Sequence, residues 1–144
     1  MKLSELQAQI SADAKIDATD LINESSRTPY MHGRYINFLS DLRIMEKNND
    51  ITIKKIIHRK WLWMNGKASQ EELAKWGYEP FQLKILKQDF DMFLDADEEF
   101  VKLIDEQKEI KTKIEMVQEF IKSINNRNFI IRAMIDYQKM LNGN

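Results

Sequence analysis

A run of residues at alternating steps of three and four constrains this chain more than anything else in it. Phe93, Ala96, Phe100, Leu103, Gln107, Ile110, Ile114, Val117, Ile121 and Ile124 follow one another in that rhythm. A helix turns once in about 3.6 residues, so the spacing draws a single stripe along one face, a seam of about four heptads. Its one polar member is Gln107. Asn125-Asn126 permits a turn after it, and a final helix then sets Ile130, Met134, Tyr137 and Leu141 on one stripe. Two readings of the seam stay open, an intramolecular helical hairpin and an oligomerisation helix. The final helix favours assembly. Its residues Phe129, Ile130, Ile131, Met134, Ile135, Tyr137, Met140 and Leu141 spread beyond one narrow stripe, and a helix apolar on more than one side needs more than one neighbour. The residues expected to carry assembly are Ile114, Val117, Ile121, Ile124, Phe129, Ile130, Ile131, Met134, Tyr137 and Leu141.

The rest of the chain also reads as helix. Only four glycines and two prolines interrupt 144 residues. Ser4 with Gln7 forms a capping-box pattern ahead of a helix from about 5 to 14. Asp17 or Thr19 can cap a second one carrying Leu21 and Ile22. Thr28-Pro29 begins or kinks a helix. From Tyr30 to Met64 a single long helix is expected, with Asn48-Asn49-Asp50 its weakest point and Asn65-Gly66 its end. Ser69 caps the short QEELAKW helix before Gly77, and Pro80 opens another that carries Phe81, Ile85, Phe90 and Phe93. No strand or hairpin signal appears. The expected fold is all-α, with long amphipathic helices, helical-hairpin or coiled-coil-like packing, and oligomerisation helices at the carboxy terminus.

Several chemistries lack their residues. With no cysteine there is no disulfide or thiolate site. His32 and His58 have no partner at motif spacing. The acidic group Asp95, Asp97, Glu98 and Glu99 lacks a calcium-loop pattern, and carboxylates are favoured at a helix start anyway. There is no phosphate-cradling glycine loop and no nucleophile–base pair. No catalysis, cofactor or metal is expected. The amino terminus has no signal-peptide core, and no apolar run approaches the roughly 20 residues of a membrane span. An intracellular, cytoplasmic protein that does not enter membranes is the plain expectation.

Net charge is -1, but charge is unevenly placed. Between Arg43 and Lys67 lie Lys47, Lys54, Lys55, Arg59 and Lys60, opposed only by Glu46 and Asp50. Between Asp89 and Glu109 the signs reverse, with nine carboxylates against Lys102 and Lys108. At about 100° per residue, with Lys54 at zero, Lys47 lies near ~20°, His58 near ~40°, Lys55 near ~100° and Arg59 near ~140°. Trp61 sits just on the other side of zero, and Trp63 near ~180°. Ile53, Ile56, Ile57 and Met64 fill the opposite arc, and Lys60 falls inside it, which calls for snorkelling or an open edge. Cations beside aromatics suit single-stranded nucleic acid, because phosphates take the charge and bases stack on rings. A core helix with a solvated charged face is the other reading of the same residues. The candidate DNA-binding residues are Lys47, Lys54, Lys55, His58, Arg59, Lys60, Trp61 and Trp63.

Several short stretches in order resemble the UvsY recombination mediators of T4-like phages. Met1-Lys2-Leu3-Ser4-Glu5-Leu6-Gln7 is similar to the family's Met-Arg-Leu-x-x-Leu-Gln start. Ile16-Asp17-Ala18-Thr19 with Leu21 is similar to Ile-Asp-Ser-Thr-x-Leu, and Arg34-Tyr35-Ile36-Asn37 to Lys-Trp-Leu-Asn. Ile57 to Gly66 falls without gaps on Leu-Lys-Ala-Arg-Leu-Asp-Tyr-Tyr-Ser-Gly. Ile121-Lys122-Ser123, with Arg127 and Phe129, is like Ile-Lys-Ser-Arg-Gly-Phe. Residues 67 to 95 match poorly. The resemblance implies a non-enzymatic accessory protein of phage recombination, repair and replication, working in the host cytoplasm. It would bind single-stranded DNA, loosen the single-strand binding protein, and load a RecA-like recombinase. It also implies a homo-oligomeric ring of six or seven subunits, assembled through the carboxy-terminal helices. The family's two basic contact positions fall on His58 and Lys60, and Arg59 stands where the family has Ala. Residues 1–95 would then be the DNA-binding region, with the basic helix at about 30–65, and 96–144 the oligomerisation region. A structural coiled-coil adaptor that never touches DNA is the rival.

Overall fold

The computed structural model describes residues 1–143, and among these no strand occurs. Five α-helices follow in order: α1 Leu3–Ala14, α2 Leu21–Met64, α3 Gln70–Trp76, α4 Phe90–Asp95 and α5 Glu98–Leu141. A single 3₁₀ turn, Lys87–Asp89, precedes α4. The all-α expectation holds. The helices pack as two compact units, each containing part of α2 and part of α5. The first unites Met1–Met45 with the chain from Glu109 onward, and the second is Glu46–Lys108. These packing boundaries differ from a division at residue 95, because both long helices run through both units.

The first unit is built on a seam that α2 shares with α5. Leu21, Glu24, Thr28, Met31, Tyr35, Leu39 and Leu42 are all buried, at helical steps of three and four. Met31, Tyr35, Leu39 and Leu42 of that row form one core with Ile110, Ile114, Val117, Phe120 and Ile124, also buried, and with Leu6 of α1. Fully burying a side chain of this size contributes about 1.5–3 kcal/mol. Tyr35 packs edge-on against Phe120 at 4.7 Å. Its hydroxyl donates to Asp13 at 2.7 Å and accepts from Gln9 at 3.3 Å, which ties α1 to α2. Burial, reinforced by the Asp13 carboxylate, pushes the phenol pKa up to about 12. Arg127 is buried in the same seam and donates to the carboxylate of Glu24 and, at 3.1 Å, to Thr28 Oγ1.

This core alters the expected account of assembly. Ile114, Val117, Ile124 and Ile131 are spent inside the protomer and present nothing to a neighbour. Nor does the chain turn at Asn125-Asn126. α5 continues to Leu141, because both asparagines lie on its exposed side while Ile124, Arg127 and Ile131 keep the seam facing inward. The intramolecular reading of the seam therefore holds, with α2 as the partner, and the separate final helix expected after residues 125–126 does not form. Of the remaining assembly candidates, Phe129, Ile130, Tyr137 and Leu141 are exposed, and Ile121 and Met134 are half-buried.

In the second unit the same seam logic persists with polar substitutions. Ile53, Ile56, Lys60 and Met64 of α2 are buried, as are Leu94 and Gln107. Asn49 donates to Gln107 Oε1 at 2.7 Å and to the Leu103 carbonyl at 3.3 Å. This answers two anomalies of the sequence at once. Gln107, the polar member of the seam, is the partner of Asn49, and that pairing offsets the poor helix propensity of Asn48-Asn49-Asp50. α2 passes through all three without a break.

Helix ends follow local chemistry, sometimes through other residues than expected. Lys2 N–H bonds Glu5 at 2.8 Å, so α1 starts ahead of the Ser4–Gln7 pair. Thr19 caps onto Asp17 in a tight turn, and Asp20 accepts from Asn23 N–H at the start of α2. Pro29 lies inside α2 and neither starts nor ends it. Gly66 (φ 66°) and Gly77 (φ 74°) end α2 and α3 in the left-handed region that only glycine enters freely. Ser69 caps α3 as expected, accepting from Glu72 N–H at 3.1 Å. Pro80 opens no long helix; Phe81 and Ile85 lie in irregular chain, while Phe90 and Phe93 lie in α4. The seam is interrupted near Ala96, because Asp97 accepts from Phe100 N–H at 3.1 Å and starts α5 afresh.

Candidate nucleic-acid interface

The apolar and polar seam residues of α2 face inward in the second unit, which leaves its opposite side in water. Lys47, Lys54, Lys55 and His58 are all exposed there, and Arg59 is half-buried. Lys54 pairs with Asp50 one turn back at 3.1 Å, an exposed contact of small energetic weight. The helical sorting of cations onto one face therefore matches the structure. So does the isoleucine face opposite.

Lys60 departs from that pattern. It is 3% exposed, so it neither snorkels nor borders an open edge. Its ammonium lies 3.0 Å from Asp97 and 3.2 Å from Glu99. It also sits 4.1 Å from the ring centre of Tyr78 and 5.0 Å from that of Trp63. Burial alone would lower its pKa; contacts with Tyr78, Asp97 and Glu99 outweigh this and raise it above the ordinary lysine value. The cation is held by two carboxylates and two ring faces, a fully employed group. A free phosphate contact at this position is not what the fold presents.

The tryptophans also divide. Trp63 donates its indole N–H to the Glu79 carbonyl at 2.6 Å, and its ring packs on Tyr78 at 4.8 Å and Phe81 at 5.0 Å. Phe81 in turn meets Phe93 edge-on at 6.1 Å. Trp63 thus anchors the irregular chain after α3. Trp61 is half-buried with the Lys67 ammonium 4.7 Å over its ring. Trp76, at the end of α3, has the Arg59 guanidinium 5.5 Å over its ring. No motif assigns Trp76 a role; its only signal is a tryptophan closing a short capped helix. Tyr78 and the Asp97–Glu99 pair were likewise unassigned as partners of Lys60, although a lysine inside an apolar arc calls for such partners.

Among the described residues no cluster of three or more His, Asp or Glu could hold a metal ion, and no helix is long and apolar enough to cross a membrane. What the fold and this surface define is an all-helical protein, built on two long helices, that carries an exposed cationic face. The chain belongs to the UvsY family: the family model described as recombination, repair and ssDNA binding protein UvsY matches residues 9–144. Its fold is that of the recombination mediator protein UvsY of bacteriophage T4. The lattice type II crystal structure of that protein aligns over 97% of each chain with a TM-score of 0.81 and 18% identity. The lattice type IV structure aligns over 97% of this chain and 99% of that one, with a TM-score of 0.83 and 17% identity. No curated protein sequence matches.

Proposed function

We propose that this chain is a single-stranded-DNA-binding recombination mediator, which loads a RecA-like recombinase onto DNA coated with single-strand binding protein during phage recombination, repair and replication. Membership of the UvsY family supports the general role, and the exposed basic side of α2 carries the DNA-binding part of it. Lys47, Lys54, Lys55, His58 and Arg59 supply the phosphate contacts in this reading, while Lys60 supports the helix that displays them. The protein works as a homo-oligomer, with Phe129, Ile130, Tyr137 and Leu141 as the exposed apolar residues available for assembly. Repeating the basic face around a ring of six or seven subunits would let modest contacts add through effective concentration.

The test is anisotropy of labelled oligo(dT) titrated with the protein at two salt concentrations, followed by recombinase filament assembly on DNA pre-coated with single-strand binding protein. Binding that weakens as salt rises and faster filament growth support the reading. Absence of saturable binding at low salt overturns it and leaves the coiled-coil adaptor.

A further inference from the structure

Resting on the DNA-binding reading just given, we propose that Trp61 and Trp76 are the base-stacking residues of this surface, one on each flank of the basic face, and that Trp63 is not. The argument begins with azimuth. Around α2, Trp61 lies just before Lys54, and Arg59 closes the other end of the cationic arc. Arg59 carries Trp76 on that far side, because its guanidinium lies 5.5 Å over the Trp76 ring. The exposed cations Lys54 and Lys55, with the His58 imidazole beside them, thus lie between two indoles.

Each flanking indole has a cation on its face, Lys67 on Trp61 and Arg59 on Trp76. Such contacts hold a ring in place only weakly where water reaches them. A nucleotide presents both partners these groups want, a phosphate for the cation and a π-face for the ring. On docking, the cation moves to the phosphate and the base takes the ring face. The Lys67 side chain is exposed, so its displacement from Trp61 buries no orphaned charge. Trp63 has no comparable freedom. Its N–H is committed to Glu79, and Tyr78, Phe81 and the Lys60 ammonium surround its ring. Trp76 does meet Tyr78, but farther off, at 5.9 Å and a tilt of 56°.

Base stacking on an aromatic residue is typically worth about 1–3 kcal/mol per base, so losing one ring should weaken binding about 5- to 150-fold. The chain holds three tryptophans, which makes the assignment readable. Trp61→Phe, Trp63→Phe and Trp76→Phe would be made in the full-length protein and titrated with oligo(dT) at low salt. Intrinsic fluorescence and the anisotropy of the labelled oligonucleotide would be followed together. Quenching should persist in Trp63→Phe and fall in each of the other two. Trp61→Leu and Trp76→Leu should each raise Kd within the stated range, with unchanged helical circular dichroism. If a leucine variant fails to fold, the phenylalanine variants decide alone. Undiminished quenching in Trp61→Phe/Trp76→Phe, with salt-sensitive binding intact, overturns the stacking assignment and leaves the DNA reading standing. No anisotropy change with the wild-type protein removes the DNA reading itself.

Discussion

Replacing Lys60 by alanine separates a structural cation from a DNA contact. The wild-type ammonium is 3% exposed and bonded to Asp97, whose side chain is 12% exposed, and to Glu99, which is 48% exposed. Removing one member of a buried pair usually costs about 3–5 kcal/mol, because the other charge stays behind without its partner. Here the figure shrinks, since water can still reach Glu99 and the exposed half of the bridge contributes little. Against that, two cation–π contacts disappear, worth about 0.5–1 kcal/mol each. A net loss of about 3 kcal/mol follows. Lys55→Ala, on the exposed face, should stay within about 0.5 kcal/mol of wild type. Urea unfolding followed by circular dichroism, at one fixed protein concentration because assembly shifts apparent stability, reads both values. The oligo(dT) salt dependence supplies the second axis. Loss of a phosphate contact lowers the slope of log Kd against log salt by about one. Lys55→Ala should show that change, and Lys60→Ala, assayed where it is folded, should not. The resemblance at positions 58 and 60 leads to the opposite ranking, with Lys60→Ala the more damaging to DNA binding. A Lys60→Ala protein as stable as wild type with a reduced salt slope would refute the buried-cation account.

Other consequences are more local. Asn49→Leu or Gln107→Leu alone leaves an amide facing an apolar residue in the seam and should cost about 1–3 kcal/mol. The double change should cost less than the sum of the two, which a double-mutant cycle in urea would show. Tyr35 makes the protein weaker in alkali. The unfolded chain releases the phenol proton near pH ~10, whereas the folded chain holds it to about 12. Stability from this group is therefore complete below pH ~10 and falls by about 3 kcal/mol as pH rises to about 12. Lys60, also raised, loses stability in the same direction at high pH, so Tyr35→Phe should lessen the alkaline loss without abolishing it in thermal melts. Phe129→Glu with Leu141→Glu should lower the assembled mass in light scattering and leave the helical content unchanged, because both residues are exposed in the protomer.

Much of the helical frame was legible because it depends on spacing and end chemistry. The seam, the α2 terminus at Gly66 and the Ser69 cap are all local signals. Continuity at residues 125–126 was not legible, and at 48–50, where the expected long helix does run on, what sustains it was not legible, for one physical reason. Residues 125–126 permit a turn, and 48–50 weaken a helix, but neither propensity decides the outcome when a neighbour rewards continuity. Arg127 must stay in register to reach Glu24, and Asn49 to reach Gln107. Those partners lie far away in sequence, so local propensity cannot count them. The candidate site was legible as a face and misread in its members. Helical azimuth sorted Lys47, Lys54, Lys55, His58 and Arg59 outward, yet azimuth says nothing about which tryptophan has a free ring. That depends on the irregular chain after α3, where Glu79 and Phe81 claim Trp63 and Arg59 meets Trp76.

The buried polar groups of the second unit and its exposed cations are two sides of one constraint. A seam of isoleucine and leucine alone tolerates sliding by a heptad and small rotations, since apolar contacts are non-directional. Asn49–Gln107 and Lys60 with Asp97 and Glu99 do not, because each demands a particular partner within hydrogen-bond reach. The two contacts stand about three turns apart on the same side of α2. Together they fix both its register and its rotation in that unit. Once rotation is fixed, Lys54, Lys55 and His58 have no choice but to point into water. On this argument Lys60 acts on DNA binding at one remove, by aiming the residues that touch the phosphates.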